Sequence, residues 1–244
     1  MKQYNFDELT ERHDTASLKW DTVADRDVIP LWVADMDFKT APEIIDAVRR
    51  RVDTGIYGYV SLPDRYYDAI IGWFARRHNW PIAKKSILTT IGVVPAVAGI
   101  IKSLTHSGDG VILQTPAYNC FFTAIKNTGC QVIANPLIRV DKGETFTFEI
   151  DFENLERLAA VDRNKVLLLC NPHNPTGRIW SYDELERVRN ICQRHNVMVI
   201  SDEIHCELTH GNSRYVPYAS VDPDGIICCS PTKPFKIPVI QNDN

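Results

Sequence analysis

Three short stretches of this 244-residue chain offer an amide, a carboxylate and an amine. They are NPHNPTG (171–177), SDEIH (201–205) and SPTK (230–233). Each follows a short apolar run rich in Val, Ile, Leu or Cys, which predicts a buried strand. The carboxyl ends of parallel strands meet at one edge of a sheet, so we expect Asn174, Asp202 and Lys233 to lie at the same edge.

An amide, an acid and a lysine at one sheet edge are the groups that a pyridoxal phosphate (PLP) site requires. The lysine would hold the cofactor, the acid would keep the pyridine nitrogen protonated, and the amide would hold the phenolic oxygen. Each motif alone has a plainer interpretation. Lys233 could be a solvated loop residue, Asp202 a turn or cap residue, and the Asn-Pro turn a structural element. The order of the three motifs favours the cofactor site.

The elements that would position these groups alternate from about Pro42 onward. Two amphipathic helices are predicted at Pro42–Val52 and 64–77, and a third after Ser181, which has capping-box spacing to Glu184. Short apolar runs predict strands buried on both faces at 110–113, 131–134, 166–170, 197–201 and 226–229. This alternation predicts an α/β domain with a largely parallel sheet.

Composition narrows the class of protein. Hydrophobic residues make up 44% and charged residues 24%, as in soluble globular proteins, and a net charge of −4 gives no general attraction to nucleic acid or anionic membrane. The polar N-terminus lacks a signal-peptide core, so we expect a cytoplasmic protein. The seven cysteines have no C-x-x-C spacing, which favours free thiols. The cluster His205, Cys206 and His210 could suggest a metal, but we expect none.

Further motifs join these: LWVADMDF (31–38), IYGY (56–59) and TPAYNCFF (115–122). With them, the chain resembles the class I/II aminotransferase superfamily and, within it, the MalY/PatB group of cystathionine β-lyases, because DEIH replaces the commoner DEIY. The resemblance runs from about Tyr4 to the last residues. It implies a PLP-dependent transferase-like fold of type I, with an N-terminal arm and small-domain segment at 1–55 and the PLP-binding major domain at 56–244.

The resemblance also implies roles for single residues around the cofactor ring. Lys233 is similar to the lysine that holds PLP and later moves the substrate's Cα proton, and Asp202 to the acid at the pyridine nitrogen. Asn174 would hydrogen-bond the phenolic oxygen, and His205 stands where many relatives have a tyrosine with that task. Tyr118 would stack on the ring, although by itself it could be a core aromatic.

A second set of residues is implied for the phosphate. The backbone of Gly92, Val93 and Val94, at a predicted helix start, would bind the phosphate together with Ser230 through unpaired amides and the helix dipole. Tyr59 is similar to the residue that this family lends to the phosphate of the neighbouring subunit. That likeness implies a homodimer with shared sites.

The chain departs from the family's pattern near its end. Pro234 follows the lysine and is expected to restrict Lys233 to extended geometry, and Lys236 places a cation where relatives have a neutral amide. Relatives continue well beyond the lysine, into a C-terminal small domain with an arginine that grips the substrate carboxylate. We therefore expect a major domain that is incomplete at the C-terminus, reduced stability and a low rate.

The activity implied is a PLP-dependent carbon–sulfur β-lyase that converts sulfur amino acids to pyruvate, ammonia and a thiol. Two alternatives stay open. One is an aminotransferase on the same scaffold, and the other is a shortened, non-catalytic homologue that acts as a binding or regulatory protein.

Overall fold

The computed structural model describes residues 4–238. Within this part the chain forms two compact units. The first unit consists of residues 4–59 and 231–238, and the second of Val60–Ser230. The domains predicted at 1–55 and 56–244 extend beyond the described residues at both termini, and their roles stay a prediction.

Helices and strands alternate from Val93 to Asp202, apart from three consecutive strands within 131–149. The helices are α1 (Leu18–Asp21), α2 (Pro42–Val52), α3 (Asp64–His78), α4 (Val93–Leu104), α5 (Asn119–Asn127), α6 (Phe152–Ala159) and α7 (Tyr182–Arg194). The strands are β1 (Gly110–Thr115), β2 (Gln131–Pro136), β3 (Ile138–Lys142), β4 (Thr145–Glu149), β5 (Asn164–Cys170), β6 (Met198–Asp202) and β7 (Ile226–Cys228). Short 3₁₀ turns lie at Lys84–Ser86 and Tyr218–Ser220. Among the described residues, no helix is both long and apolar enough to cross a membrane.

The second unit is built on a five-stranded sheet in the order β2-β1-β5-β6-β7. Every neighbouring pair in it is parallel. Strands β3 and β4 form a separate antiparallel hairpin. The predicted α/β class with a parallel sheet is therefore confirmed, and the five predicted strands correspond to β1, β2, β5, β6 and β7. The hairpin was not predicted.

Each face of the sheet carries its own hydrophobic cluster, as the alternation along β5 shows. Leu167 and Leu169 belong to the cluster that includes Leu185 of α7, and we call this side the α7 face. Leu168 belongs to the other cluster, which includes Ile101 of α4, and we call that side the α4 face. All five side chains are fully buried, and each stabilises the fold by about 1.5–3 kcal/mol. The near-continuous apolar run of β5 follows from burial on both faces.

The three predicted helices are confirmed as α2, α3 and α7. Pro42 occupies the first turn of α2, where its missing N–H has no intrahelical acceptor to lose. The capping box of α7 is complete. The Glu184 amide donates to Ser181 Oγ at 3.2 Å, and the Ser181 amide donates to Glu184 Oε2 at 2.8 Å.

We expect Ser181→Ala to lower the free energy of unfolding by about 1 kcal/mol, because it removes the acceptor for the Glu184 amide. Urea denaturation followed by circular dichroism measures the loss. Ser103→Ala is the matched control, since Ser103 lies on an exposed part of α4 and bonds only to the Ile100 carbonyl. Equal stability of the two variants would contradict the capping role.

Candidate active site

The ends of β5, β6 and β7 lie side by side at one edge of the sheet. Cys170 pairs with Asp202, and Asp202 pairs with Cys228. Beyond the strands the pairing continues, because the Asn171 amide donates to the Asp202 carbonyl at 2.9 Å and the Glu203 amide donates to the Cys228 carbonyl at 2.8 Å. The NPHNPTG turn and the SDEIH motif therefore start from neighbouring positions, as their sequence order predicted.

Asp202 is a buried carboxylate on the α4 face. Alternation along β6 places it on the same side as Ile200, which packs in the cluster of the α4 face. Only 4% of Asp202 is exposed, and its Oδ1 accepts the Ile204 amide at 3.0 Å. A carboxylate at this position can accept a charge-assisted hydrogen bond from a protonated group.

The N-terminus of α4 reaches the same edge of the sheet. Five residues separate the end of α4 from the start of β1, so the other end of the helix points to the carboxyl ends of the strands. Val93 belongs to the hydrophobic cluster that contains Cys170 and Cys228, the last residues of β5 and β7. The start of α4 thus lies on the face that carries Asp202.

The backbone donors at this helix start number two. Pro95 has no N–H, and the Ala96 amide donates to the Gly92 carbonyl at 3.1 Å, which leaves the amides of Val93 and Val94 without an intrahelical acceptor. The N-cap residue Gly92 has φ 148°, a conformation that favours glycine, and it has no side chain to cap these amides. Two amides and the positive end of the helix dipole suit an anion.

Tyr118 lies three residues after the end of β1, at the N-cap of α5. Its ring meets the buried Phe121 edge-on at a centroid distance of 5.5 Å, and 36% of the residue remains exposed. The nearby Cys120 thiol, then desolvation and the charge of Asp202, raise the pKa of Tyr118 to about 12. Tyr118 is therefore outside the buried core and keeps a neutral ring at this edge.

The NPHNPTG turn is held from inside by main-chain and side-chain bonds. The Gly177 amide donates to the His173 carbonyl at 2.8 Å, and the Asn174 amide donates to Cys170 Sγ at 3.4 Å. Trp180 Nε1 donates to the Cys170 carbonyl at 2.9 Å from a fully buried position. Asn174 itself is half-buried, so its side chain is held on a fixed turn at the sheet edge.

His173, in the NPHNPTG turn, was not predicted from the sequence to have a role at this edge of the sheet. It is buried, with 3% exposed, and its Nδ1 lies 2.9 Å from Thr176 Oγ1. Burial lowers the pKa of His173 to about 4, against the opposing effect of a hydrogen bond to the Gln114 backbone. The imidazole is therefore neutral at physiological pH and ties the turn to the end of β1.

Glu203 is a second missed residue, since the sequence placed it at a strand end without a role. It is fully buried on the α7 face and accepts hydrogen bonds from Ser201 Oγ at 2.9 Å, the Tyr218 amide at 2.9 Å and the Tyr215 hydroxyl. Desolvation raises the pKa of Glu203 to about 7, although these hydrogen bonds, Tyr215 first, act in the opposite direction.

The segment after DEIH is anchored to α3 through Glu207. Its carboxylate accepts hydrogen bonds from Trp73 Nε1 at 2.6 Å and from the Arg77 guanidinium at 3.1 Å. His78 Nε2 lies 2.6 Å from the same carboxylate. Possible ligand atoms of His78, Cys206 and Glu207 lie within 4.8 Å of one another. Hydrogen bonds to Glu207 account for the closeness of these three side chains, so we interpret the group as an anchor and not as a metal site. His205, the last residue of DEIH, precedes this segment, and its carbonyl accepts a hydrogen bond from the Leu208 amide at 2.8 Å.

Lys233 and Tyr59 belong to the first unit, and Ser230 is the last described residue of the second. Lys233 lies in a turn in which the Phe235 amide donates to the Pro231 carbonyl at 3.1 Å. Where Pro234 predicted extended geometry, the structure shows a hydrogen-bonded turn. Tyr59 is fully exposed. The roles predicted for these residues stay predictions.

The lysine turn packs against the LWVADMDF segment within the first unit. Lys236 Nζ lies over the Phe38 ring at 4.6 Å, and Thr40 Oγ1 donates to the Phe235 carbonyl at 2.5 Å. Desolvation, then the charge of Arg12, lower the pKa of Lys236, against the pull of Asp35 and Asp37. The cation that departs from the family's pattern is thus placed on an aromatic ring.

Glu203 and His173 should give opposite slopes to stability against pH. The folded state holds a proton on Glu203 between about pH 4.5 and 7, so that contribution falls as the pH rises through this window. The unfolded state holds a proton on His173 between about pH 4 and 6.5, so that contribution grows with pH.

We expect Glu203→Gln to leave the His173 slope unopposed, with the free energy of unfolding rising by up to about 1.4 kcal/mol per pH unit up to pH 6.5. His173→Gln should give a falling curve between about pH 4.5 and 7. Urea denaturation across this range measures both slopes. Curves for both variants that run parallel to the wild type would contradict these assignments.

Comparison with known proteins places the chain in a family. The model of "Aminotransferase class I and II" matches residues 26–238. "Cystathionine beta-lyase PatB" of Bacillus subtilis (strain 168) is 37% identical over 97% of this chain and 62% of its own length. "Protein MalY" of Escherichia coli (strain K12) is 36% identical over 97% of this chain and 61% of its own length.

A solved structure agrees with these matches. Cystalysin from Treponema denticola, whose crystal structure contains a pyridoxal 5'-phosphate cofactor, is 36% identical to this chain with a TM-score of 0.91. The likeness covers 98% of this chain and 62% of cystalysin. The chain thus spans about 62% of the length of the relatives it matches. The family model matches most of the sequence, and the chain has the same fold as a solved relative. The chain therefore belongs to the class I and II aminotransferase family.

Proposed function

We propose that the chain forms the cofactor-binding part of a PLP-dependent carbon–sulfur β-lyase. One observation carries the proposal: a buried carboxylate, Asp202, and the uncapped start of α4 share one face and one edge of the sheet. The similarity to PatB, a cystathionine beta-lyase, supports the reaction class.

The donor set at this edge fits PLP. The cofactor is an anion at one end and carries a basic ring nitrogen at the other. The amides of Val93 and Val94 suit its phosphate, with Gly92 allowing close approach and Ser230 as a further donor. The carboxylate of Asp202 suits the protonated ring nitrogen.

The ring would be held by groups from three segments. When bound, PLP supplies an aldehyde for amines and a ring that withdraws electrons from the bonds at the substrate's Cα. Asp202 would hold the proton at the ring nitrogen, and Asn174 would donate its side-chain amide to the phenolic oxygen, with His205 as the second group for that task. Tyr118 would stack on the ring through its exposed face.

Lys233 is proposed as the residue that holds the cofactor through its amine. Once released by the substrate's amino group, that amine would take the proton from the substrate's Cα. The sulfur then leaves from Cβ as a thiolate. In balance, a sulfur amino acid and one water give pyruvate, ammonia and a thiol.

The proposals of a homodimer and of a cytoplasmic location are each supported by one observation. A fully exposed Tyr59 supports a homodimer in which each subunit lends this residue to its neighbour's phosphate. All seven cysteines are free thiols, five of them buried, which supports a cytoplasmic location. An amino acid is the proposed small-molecule partner, and neither nucleic acid nor membrane is proposed as one.

An aminotransferase is the second candidate, favoured by the description of the matching family. Both reactions begin with removal of the Cα proton. In the lyase, the sulfur group then leaves from Cβ. In the aminotransferase, the proton is instead added to the cofactor, and the amino group passes to a keto acid.

We expect Asp202→Asn to retain bound PLP but to slow removal of the substrate's Cα proton by at least about 100-fold, because a neutral amide does not keep the ring nitrogen protonated. Exchange of the substrate's α-proton with deuterium, followed by NMR, measures this step. Asp183→Asn, on the exposed first turn of α7, is the control and should exchange at the wild-type rate. An unchanged rate in Asp202→Asn would remove the acid from its proposed role.

A lyase should release pyruvate from cystathionine without any added keto acid. Coupling pyruvate to the oxidation of NADH measures the product, and Lys233→Ala should abolish it because no amine remains to move the proton. If the chain consumes cystathionine only when a keto acid is present, the aminotransferase replaces the lyase as the proposed function.

A further inference from the structure

Glu203 lies where three segments of the second unit meet. Its carboxylate is fully buried. Ser201 of β6 donates to Oε1 at 2.9 Å, the Tyr218 amide donates to the same oxygen at 2.9 Å, and the Tyr215 hydroxyl donates to Oε2. The side-chain amide of Asn171, the first residue of the NPHNPTG turn, reaches Oε1 at 3.5 Å. A buried carboxylate with this many donors fixes the positions of all of them.

The backbone couples Glu203 directly to Asp202. The two residues are adjacent, and their side chains point to opposite faces of the sheet. The Glu203 amide donates to the Cys228 carbonyl at 2.8 Å, and the next amide, of Ile204, donates to Asp202 Oδ1 at 3.0 Å. A rotation of Glu203 would therefore turn Asp202 and break the bond that orients its carboxylate.

A second route couples Glu203 to the turn that carries Asn174. Asn171 Nδ2 donates to the Val216 carbonyl at 2.9 Å and lies between that oxygen and Glu203. The Asn171 amide donates to the Asp202 carbonyl at 2.9 Å. The start of the turn is thus held by both members of the Asp-Glu pair.

We propose that Glu203 is a positioning residue that orients Asp202 and the NPHNPTG turn from the opposite face of the sheet. The proposal rests on the proposed PLP site, to which it adds a residue that does not touch the cofactor. Its carboxylate is required as an acceptor because a glutamine would turn an NH₂ group toward one of the donors that now meet an oxygen.

Hydrogen exchange of the unliganded chain tests the positioning without any cofactor. In Glu203→Gln we expect the amides of Asn171 and Ile204 to exchange about tenfold faster, because their acceptors on Asp202 move. The amides of α4 should keep their wild-type rates. Glu156→Gln is the matched control, since Glu156 is likewise paired, with Arg194 and His195, but lies on α6.

Binding of PLP supplies the second measurement. We expect the dissociation constant for PLP to rise about tenfold in Glu203→Gln and to stay within about twofold of wild type in Glu156→Gln. The midpoint of the pH titration of the bound cofactor's visible absorption should shift in Glu203→Gln only. Tyr215→Phe removes one donor and keeps the carboxylate, so it should shift this midpoint less. We expect this variant to fold, which keeps the test available if Glu203→Gln does not fold.

The outcomes separate the two proposals. A wild-type chain that binds no PLP overturns the proposed function. A wild-type chain that binds PLP, with unchanged exchange, affinity and titration midpoint in Glu203→Gln, overturns the positioning role of Glu203. Faster exchange at every amide of the unit would also overturn it, because that result shows only lost stability.

Discussion

The parallel register of β5, β6 and β7 is the constraint on which the candidate site depends. Cys170, Asp202 and Cys228 occupy one line across these strands, so the segments that follow them start from neighbouring positions. Parallel pairing needs a crossover between strands, and here α7 joins β5 to β6. Helix α7 covers one face of the sheet and helix α4 covers the other, which leaves the carboxyl edge as the place where polar groups can gather.

Two adjacent acids use the two faces of that edge differently. Asp202 lies on the α4 face, near the start of a helix with uncapped amides, whereas Glu203 lies on the α7 face among donors from its own unit. Burying a carboxylate is unfavourable unless hydrogen bonds replace water. The donors around Glu203 tie this acid to the fold, whereas Asp202 shares its face with the uncapped start of α4, as the proposed cofactor site requires.

The strands and helices could be predicted from the sequence because the residues that cause each of them lie close together in the chain. The apolar runs that became β5 and β6, and the spacing of Ser181 and Glu184, contain their cause within a few residues. The partners of Glu203 could not be predicted in this way. Tyr215 and Tyr218 lie more than ten residues away, in a segment with no periodic pattern, and only the tertiary fold brings them to the carboxylate. An acid that directly follows the apolar run of β6 was the one signal that the sequence offered for Glu203.

The lysine turn shows how a local rule gives way to packing. Pro234 and the neutral-to-cationic change at Lys236 pointed to a disturbed segment, yet the turn is closed by a backbone hydrogen bond and tied to Thr40. The Lys236 cation over Phe38 gains about 0.5–2 kcal/mol from the aromatic face, depending on its desolvation. The same desolvation lowers the pKa of Lys236, so the contact stabilises the turn while making the charge less favourable. The carboxylates of Asp35 and Asp37 oppose that loss, so the ADMDF segment offsets part of the cost of placing this cation on the Phe38 ring.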